Sequence, residues 1–522
     1  MSAPRSFARV AVVLCGLVAV AACSSDPNPV AGSNANAATV VGASSQYAQK
    51  CAPTNTDARD ATGGLLAGYA SGSLASEQSF VRAYMNEVYL WYREIPAVDA
   101  SRAEFNSGTV YASLSNYFEA LKTPARTASG KLKDEFSFTY PTAAWTQLSQ
   151  SGVVYGYGVD WKIGSPTAPR NIQVAYVTPG TQADTLGLAR GDRLLAATVD
   201  GVTVSADATD SAGIDRLNTA LFPDQIGKSV VLQVQTLVGA TRSVTVSSTQ
   251  VSTQPVLRAD VLTVGASKLG YLLFNDFILP GEGQLKGAFE SFAAQGVSDL
   301  VLDLRYNGGG YLYMASQLAY MIAGPARTAN KVFEKTTFND KRTAETNSPD
   351  NTEPFYDAAS GIAGTGTVAN APLPTLNLPR VFVLTTGGTC SASESVINGL
   401  RGVDVQVIVI GGATCGKPYG FVAKDNCGIS YFPIEFQGVN AKGFGDFADG
   451  FQPTCAVADD LTRALGDVNE AQFAAALGYR ATGLCPAGAA GGGLSTKAAG
   501  AAASADGTVY RIAPRLNKYL LP

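Results

Sequence analysis

The sequence predicts an α/β multidomain protein, and three changes of texture along the chain carry that prediction. Apolar and aromatic residues recur at helical spacing through residues 51–150, which reads as a small helical N-terminal region. Short β-like runs broken by glycine fill 151–250, and continuous apolar strands alternate with helical stretches across 256–480. A length of 522 residues agrees with about three domains. With 46% hydrophobic and 15% charged residues the chain reads as globular, and a formal net charge of -4 offers no basic surface for nucleic acid, which is set aside as a partner.

The composition also excludes chemistry. The chain has His 0, so every Ser-His-Asp or Cys-His mechanism is ruled out, and a serine nucleophile must borrow its base from lysine or a carboxylate. Of the 8 cysteines, Cys15 lies in an N-terminal apolar stretch and Cys23 ends it. Cys51, Cys390, Cys415, Cys427, Cys455 and Cys485 remain, an even set that suggests disulfides in an exported protein. Cys415 with Cys427 is the one pairing local enough to expect, since it would brace the residues after Lys417. No Cys-x-x-Cys pair occurs, and without histidine no metal site and no cofactor is expected.

Each segment can be justified in order. Arg5 and Arg9 precede the apolar run Val10 to Ala22, a charge and length pattern of a signal peptide rather than a membrane span. Its end, Val20-Ala21-Ala22-Cys23, resembles the lipobox of bacterial lipoproteins, which implies residues 1–23 as signal and Cys23 as the lipidated N-terminus. Ser24 after it implies an outer-membrane protein facing the periplasm or cell surface, anchored through lipid. Residues 24–50, rich in Ser, Asn, Ala, Pro and Gly, read as a flexible tether. In the helical region Ser76 is the expected N-cap for Phe80, Tyr84, Val88 and Trp91, and Leu114, Tyr117, Phe118 and Leu121 repeat the pattern before Pro124.

The β-rich stretch contains Thr178-Pro179-Gly180, a short Ala183-containing helical turn, then Gly187-Leu188-Ala189-Arg190-Gly191-Asp192 and an apolar strand. That succession resembles a PDZ domain. The resemblance implies capture of a peptide C-terminus as an added strand, with Tyr155-Gly156-Tyr157-Gly158 as the carboxylate loop. Beyond it, 256–480 should form an α/β domain. The polar segment from about Lys335 to Leu378 reads as a lid or surface excursion, and 481–522 as an Ala/Gly-rich stretch and tail.

Three runs in the α/β part carry the candidate chemistry: Arg305-x-Asn307-x-Gly309-Gly310, Ser391-Ala392-Ser393-Glu394, and Thr414-x-Gly416-Lys417. Ser391 falls where an apolar strand turns into a helix, a place where N–H groups and the helix dipole favour a developing anion. In this order, behind a PDZ-like segment, the runs resemble the carboxy-terminal processing proteases, or tail-specific proteases. The resemblance implies a ClpP/crotonase-like catalytic core, a Ser391 nucleophile, a Lys417 base, and Gly310 with Ala392 as oxyanion donors. Glu394 would either cap the helix or position Lys417. The residue types agree with those roles: a neutral lysine can accept a serine proton, burial at a strand end favours neutrality, and glycine lets backbone approach a reacting oxygen.

One departure from the resemblance stands out. Many family members carry Gln four residues after the lysine, where this chain has Phe421. Asp425, Asn426, Gln437 or backbone carbonyls are the alternatives for orienting Lys417. The expected function is exported serine endopeptidase acting on unstructured or C-terminal polypeptide segments, and the rival is a catalytically silent peptide- or ligand-binding lipoprotein on the same fold.

Overall fold

The computed structural model describes residues 42–60, 62–165, 167–223 and 225–487. The expected signal peptide with Cys23, most of the tether and the tail from 488 onward lie outside the described residues. No helix among the described residues is long and apolar enough to cross a membrane.

The core is a six-stranded sheet in the order Val256–Val264, Ser267–Phe274, Val297–Asp303, Arg380–Thr385, Gln406–Gly411, Cys455–Ala456. The first pair is antiparallel and every later pair is parallel. Alternate residues of these strands serve opposite faces. Leu300, Leu302, Val381 and Val383 join a core with the helices Pro280–Ala294, Leu312–Ala323 and Ala392–Gly402, whereas Val301, Phe382, Leu384 and Ile408 meet the helix Ala471–Thr482. Burial on both faces explains why these strands read as unbroken apolar runs. Parallel strands also place their carboxyl ends together, and the three runs singled out in the sequence leave three adjacent strands at that edge.

The N-terminal region holds helices Leu74–Val88, Val110–Ala120 and Thr142–Ser151. The first starts earlier than expected: Ser73 is the N-cap, and Ser76 is its partner in the capping box. This region does not stand apart from the core. Its strand Phe138–Pro141 pairs with Ile429–Phe432, and Phe80 and Phe118 pack on Tyr431. The expected tether is shorter than 24–50, because Ser44 N–H and hydroxyl donate to Glu87 and the Gln49 N–H donates to Asn426 Oδ1.

The middle domain is a sheet ordered Thr241–Ser247, Ser229–Gln235, Arg193–Val199, Gln173–Val177, Val159–Lys162, with Val202–Ser205 paired to its third strand. The helix Ser211–Leu221 buries Ile214, Leu217 and Leu221 in this domain's own core. Val159–Lys162 is the edge strand.

The disulfides correct one expectation. Cys415 pairs with Cys390, Cys427 with Cys51, and Cys455 with Cys485. After Lys417 the chain runs into a hairpin, Lys424–Asn426 with Ile429–Phe432, whose turn carries Cys427 onto the N-terminal region. Cys415 stays at the sheet edge, so the local pairing Cys415–Cys427 cannot form. The last bond also extends ordered structure to Cys485, past the boundary expected at 481.

Candidate active site

Ser391 is the N-cap of Ala392–Gly402 and has φ 59° and ψ −116°. Positive φ is uncommon outside glycine and costs on the order of 1–3 kcal/mol, so it persists only where the surroundings impose it. Here the surroundings are explicit. The Cys390 N–H donates to the Asn307 carbonyl at 3.1 Å, Ser393 Oγ donates to the same carbonyl at 3.0 Å, and the Ser391 N–H donates to Glu394 Oε2 at 3.0 Å. The turn is thereby pinned on both sides of the serine. Ser391 Oγ itself is buried and meets no hydrogen-bond partner among the described residues.

The glycine run presses against this turn. A Cβ on Gly309, at φ +105°, would lie 2.8 Å from Ser391 Cβ, and one on Gly310, at φ +138°, would lie 2.2 Å from the Phe277 carbonyl oxygen. Neither position admits a side chain. Asn307 organises the run: its Nδ2 donates to the Phe274 carbonyl at 3.0 Å and its Oδ1 accepts the Gly309 N–H at 2.9 Å. Ala392 opens the helix, where the first N–H groups have no intrahelical acceptor. Gly309 thus lies against the serine turn and the Ala392 N–H, while Gly310 packs on the Phe277 carbonyl.

Glu394 joins this serine turn to the lysine turn. Its Oε2 accepts N–H groups of Ser391 at 3.0 Å and Lys417 at 2.8 Å, and its Oε1 accepts the Gly416 N–H at 2.9 Å and the Thr414 hydroxyl at 2.5 Å. One carboxylate thus caps the helix and accepts backbone N–H groups of the lysine turn. Burial pushes its pKa up from the ordinary glutamate value, and the four donors oppose that rise. The Cys390–Cys415 disulfide is a second tie between the same turns, joining the residue before Ser391 to one two before Lys417.

Lys417 is fully buried, with Nζ 4.7 Å from the centroid of Phe421 and 5.3 Å from that of Phe136. Phe421, where a glutamine was expected, thus supplies a ring face. The side chains considered as orienting groups are engaged elsewhere: Asp425 accepts from Ser430 Oγ, Asn426 Oδ1 accepts the Gln49 N–H, and Gln437 Nε2 donates to the Gly445 carbonyl.

Arg305 belongs to a buried charge network behind the site. It pairs with Asp303 at 2.6 Å, Glu470 at 2.8 Å and Asp459 at 3.1 Å. Asp459 also pairs with Arg190 and Lys162 of the middle domain. Burial would raise the Asp459 pKa, but these three cations hold it well below the usual carboxylate range. Tyr306 OH donates to Asp459 and accepts from Arg190, so the network fastens the middle domain to the base of the glycine run.

Tyr155, Gly156, Tyr157 and Gly158 are not part of this constellation. Tyr155 and Gly156 end the strand Val153–Gly156, which pairs with Thr249–Ser252, Tyr157 and Gly158 connect it to the edge strand Val159–Lys162, and all four line a separate cavity of about 450 Å³. Sequence reasoning missed Asn307 as an organiser and the Cys390–Cys415 tie. The first stood inside a run already noticed, whereas nothing local signalled the second.

A serine held at a helix start and a buried lysine tied to its turn form an arrangement suited to nucleophilic chemistry at the serine. Residues 268–421 match the model of peptidase family S41, and residues 76–138 match that of the peptidase S41 N-terminal domain. A C-terminal processing peptidase, chloroplastic, of Tetradesmus obliquus is 25% identical over 276 residues, which cover 51% of this chain and 52% of the relative. The match thus spans about half the length of that relative. A crystal structure assigned to the S41 proteases, from Bacteroides fragilis NCTC 9343, superposes with a TM-score of 0.54 at 26% identity, covering 77% of this chain and 97% of the other.

Proposed function

We propose that the chain is an exported, lipid-anchored serine endopeptidase that captures unstructured or C-terminal polypeptide segments with its PDZ-like domain and cleaves them through a Ser391–Lys417 dyad. The observation that carries this reading is the Glu394 carboxylate, which accepts the N–H groups of both Ser391 and Lys417 and so holds the two turns in one frame.

Ser391 Oγ attacks the scissile carbonyl and forms the C–O bond of a tetrahedral intermediate. Lys417, which must be neutral to accept a proton, takes the serine hydrogen, and complete burial favours the neutral amine. The backbone N–H groups of Gly310 and Ala392 hold the oxyanion, each such donor being worth about 3 kcal/mol. The intermediate collapses with loss of the amine, which receives the proton from Lys417, and water then hydrolyses the acyl-enzyme. The edge strand Val159–Lys162 suits addition of a substrate strand, with residues 155–158, which precede it, facing the substrate carboxylate. Export and anchoring rest on the sequence before residue 24, and the three disulfides agree with an oxidising compartment.

Full burial of Ser391 and Lys417 favours the silent-binder reading to the extent that no substrate reaches the serine until its cover moves. A tailed-peptide assay from pH 5 to 9 on wild type, Ser391→Ala and Lys417→Ala decides between them. The expected result is a loss of at least about 10⁴-fold in kcat for either variant and a wild-type rate rising with pH. Equal turnover in all three, or none in wild type, would overturn the peptidase reading.

A further inference from the structure

The amine of Lys417 meets rings from two distant parts of the chain. Phe421, in the same segment, is fully buried, and its ring centroid lies 4.7 Å from Nζ. Phe136 belongs to the N-terminal region, its centroid lies 5.3 Å from the same Nζ, and it is only half-buried. Lys417 itself is fully buried. Of the two rings, Phe136 is therefore the outer wall. The chain is built to hold it there. Buried Asp134 accepts the N–H groups of Phe136 at 3.0 Å and Ser137 at 2.8 Å through Oδ1, the turn that an Asp side chain makes with backbone two residues on, and its Oδ2 accepts the Tyr89 hydroxyl at 2.7 Å. Both flanks are fastened to the lysine's own segment. Lys131 Nζ donates to the Cys415 carbonyl at 3.2 Å, and Ser137 Oγ accepts the Ile434 N–H at 2.9 Å.

A ring over an amine acts in two opposed ways. Its face attracts the ammonium form, whereas its bulk keeps out the water that would solvate that charge. Burial is the larger effect, since it can lower a lysine pKa by about 3–5, more than the attraction of a ring face raises it. The outer ring therefore favours the neutral amine. The charged and titratable groups around the lysine turn are Glu394 on the helix after Ser391, Lys131 and Asp134 on the N-terminal region, and Asp446, Asp449 and Glu94 beside Tyr419, whose hydroxyl burial pushes up to about 12. A substitution at Phe136 leaves all of them in the chain, so differences between such variants read the ring.

We infer that Phe136 is a positioning residue for the base: it closes the outer side of the Lys417 pocket and keeps water from the amine, so that the N-terminal region completes the active site. The inference rests on the proposed Ser391–Lys417 dyad, and it adds what keeps the lysine fit to take a proton.

The test compares kcat of full-length wild type, Phe136→Leu and Phe136→Ala on a tailed peptide from pH 6 to 10, in variants whose melting temperature shows them folded. Phe136→Ala should move the rising limb of the profile up by about 1 pH unit, so that its rate is about tenfold lower at the foot of the limb and approaches wild type at the top. A merely structural loss would be the same at every pH. Phe136→Leu keeps an apolar cover without a ring face, so its limb should stay at the wild-type pH or below it. Phe136→Val takes the place of an alanine variant that does not fold, with a shift of the same sign. A limb that stays put in Phe136→Ala, or moves down, would overturn the inference. The amine is also read directly, by NMR at Cε of isotopically labelled lysine in Ser391→Ala protein, the Lys417 signal being the one lost in Lys417→Arg. Its titration midpoint should rise when Phe136→Ala is added, and an unchanged midpoint would count equally against the inference. If wild type cleaves nothing, or Lys417→Ala cleaves as fast as wild type, the dyad reading fails, and the NMR midpoint alone then decides what Phe136 does to the amine.

Discussion

The candidate active site and the cavity beside the middle domain differ in how their backbone and polar groups are held. Around Ser391 and Lys417 nearly every polar group is tied down: Glu394 takes four hydrogen bonds, Asn307 braces the glycine run from both ends of its amide, and a disulfide links the two turns. The one orphan among the named site atoms is Ser391 Oγ. Beside the cavity the middle sheet ends in an open edge, Val159–Lys162. A group that must act on a bond has to be placed before substrate arrives, whereas a surface that must pair with an incoming chain has to keep its pairing capacity unspent.

Glu394 gives the strongest way to break this comparison. Glu394→Ala would leave two turns without their shared acceptor and orphan buried donors, each costing about 1–3 kcal/mol. Glu394→Gln is the milder variant, since one oxygen stays and the other becomes a donor facing N–H groups. A shift of about 1 Å in catalytic placement can cost about 100-fold, so kcat of folded Glu394→Gln should fall by that order while KM moves little. A wild-type kcat in that variant would remove Glu394 as a positioning residue.

The disulfides allow a finer test. Cys390–Cys415 and Cys455–Cys485 span 25 and 30 residues, so the chain-entropy account gives them nearly equal stabilisation, about 3 kcal/mol each. Only the first adjoins the turns of Ser391 and Lys417. Cys390→Ser with Cys415→Ser should lower kcat about tenfold, whereas Cys455→Ser with Cys485→Ser should lower the melting temperature by a similar amount and leave kcat near wild type. Equal effects of the two pairs on kcat would make the active-site bond merely structural.

What could be read from sequence follows the same division. The strand before Ser391 and the helix after it were legible because burial on both faces leaves a plain apolar signature and helix starts take small polar residues. Lys417 was legible through its motif. The positive φ of Ser391 was not, because it is imposed by Asn307 and Glu394 from outside the turn. Disulfide pairing was misjudged because separation along the chain says nothing about where a hairpin carries its tip. The helix Ser211–Leu221 was passed over although Asp210 caps it, since Gly213 and scattered polar residues dilute its apolar stripe. The Phe421 departure could be seen but not interpreted, because a ring face over an amine is a tertiary contact.

The smallest effect on turnover is expected at the seam between the N-terminal region and the hairpin that follows Lys417. Glu77 of the N-terminal region accepts the Ala52 N–H and the Asn55 amide, and Asn55 also donates to the carbonyl of Cys427 in the hairpin that follows Lys417. Burial pushes the Glu77 carboxyl from an ordinary 4.5 to about 7, against the pull of those hydrogen bonds. A carboxyl with a raised native pKa keeps its proton in the folded chain when the unfolded chain has already lost it. Its contribution to stability is therefore complete below about pH 4.5, declines as pH rises through about 7, and changes no further above that. Wild type minus Glu77→Gln, measured as a difference in denaturation midpoint at several pH values, should fall across that window and level off at its upper end. A pH-independent difference would show that Glu77 is ionised throughout, and that the seam, like the dyad frame, is built around a carboxylate satisfied by its donors rather than around a protonated acid.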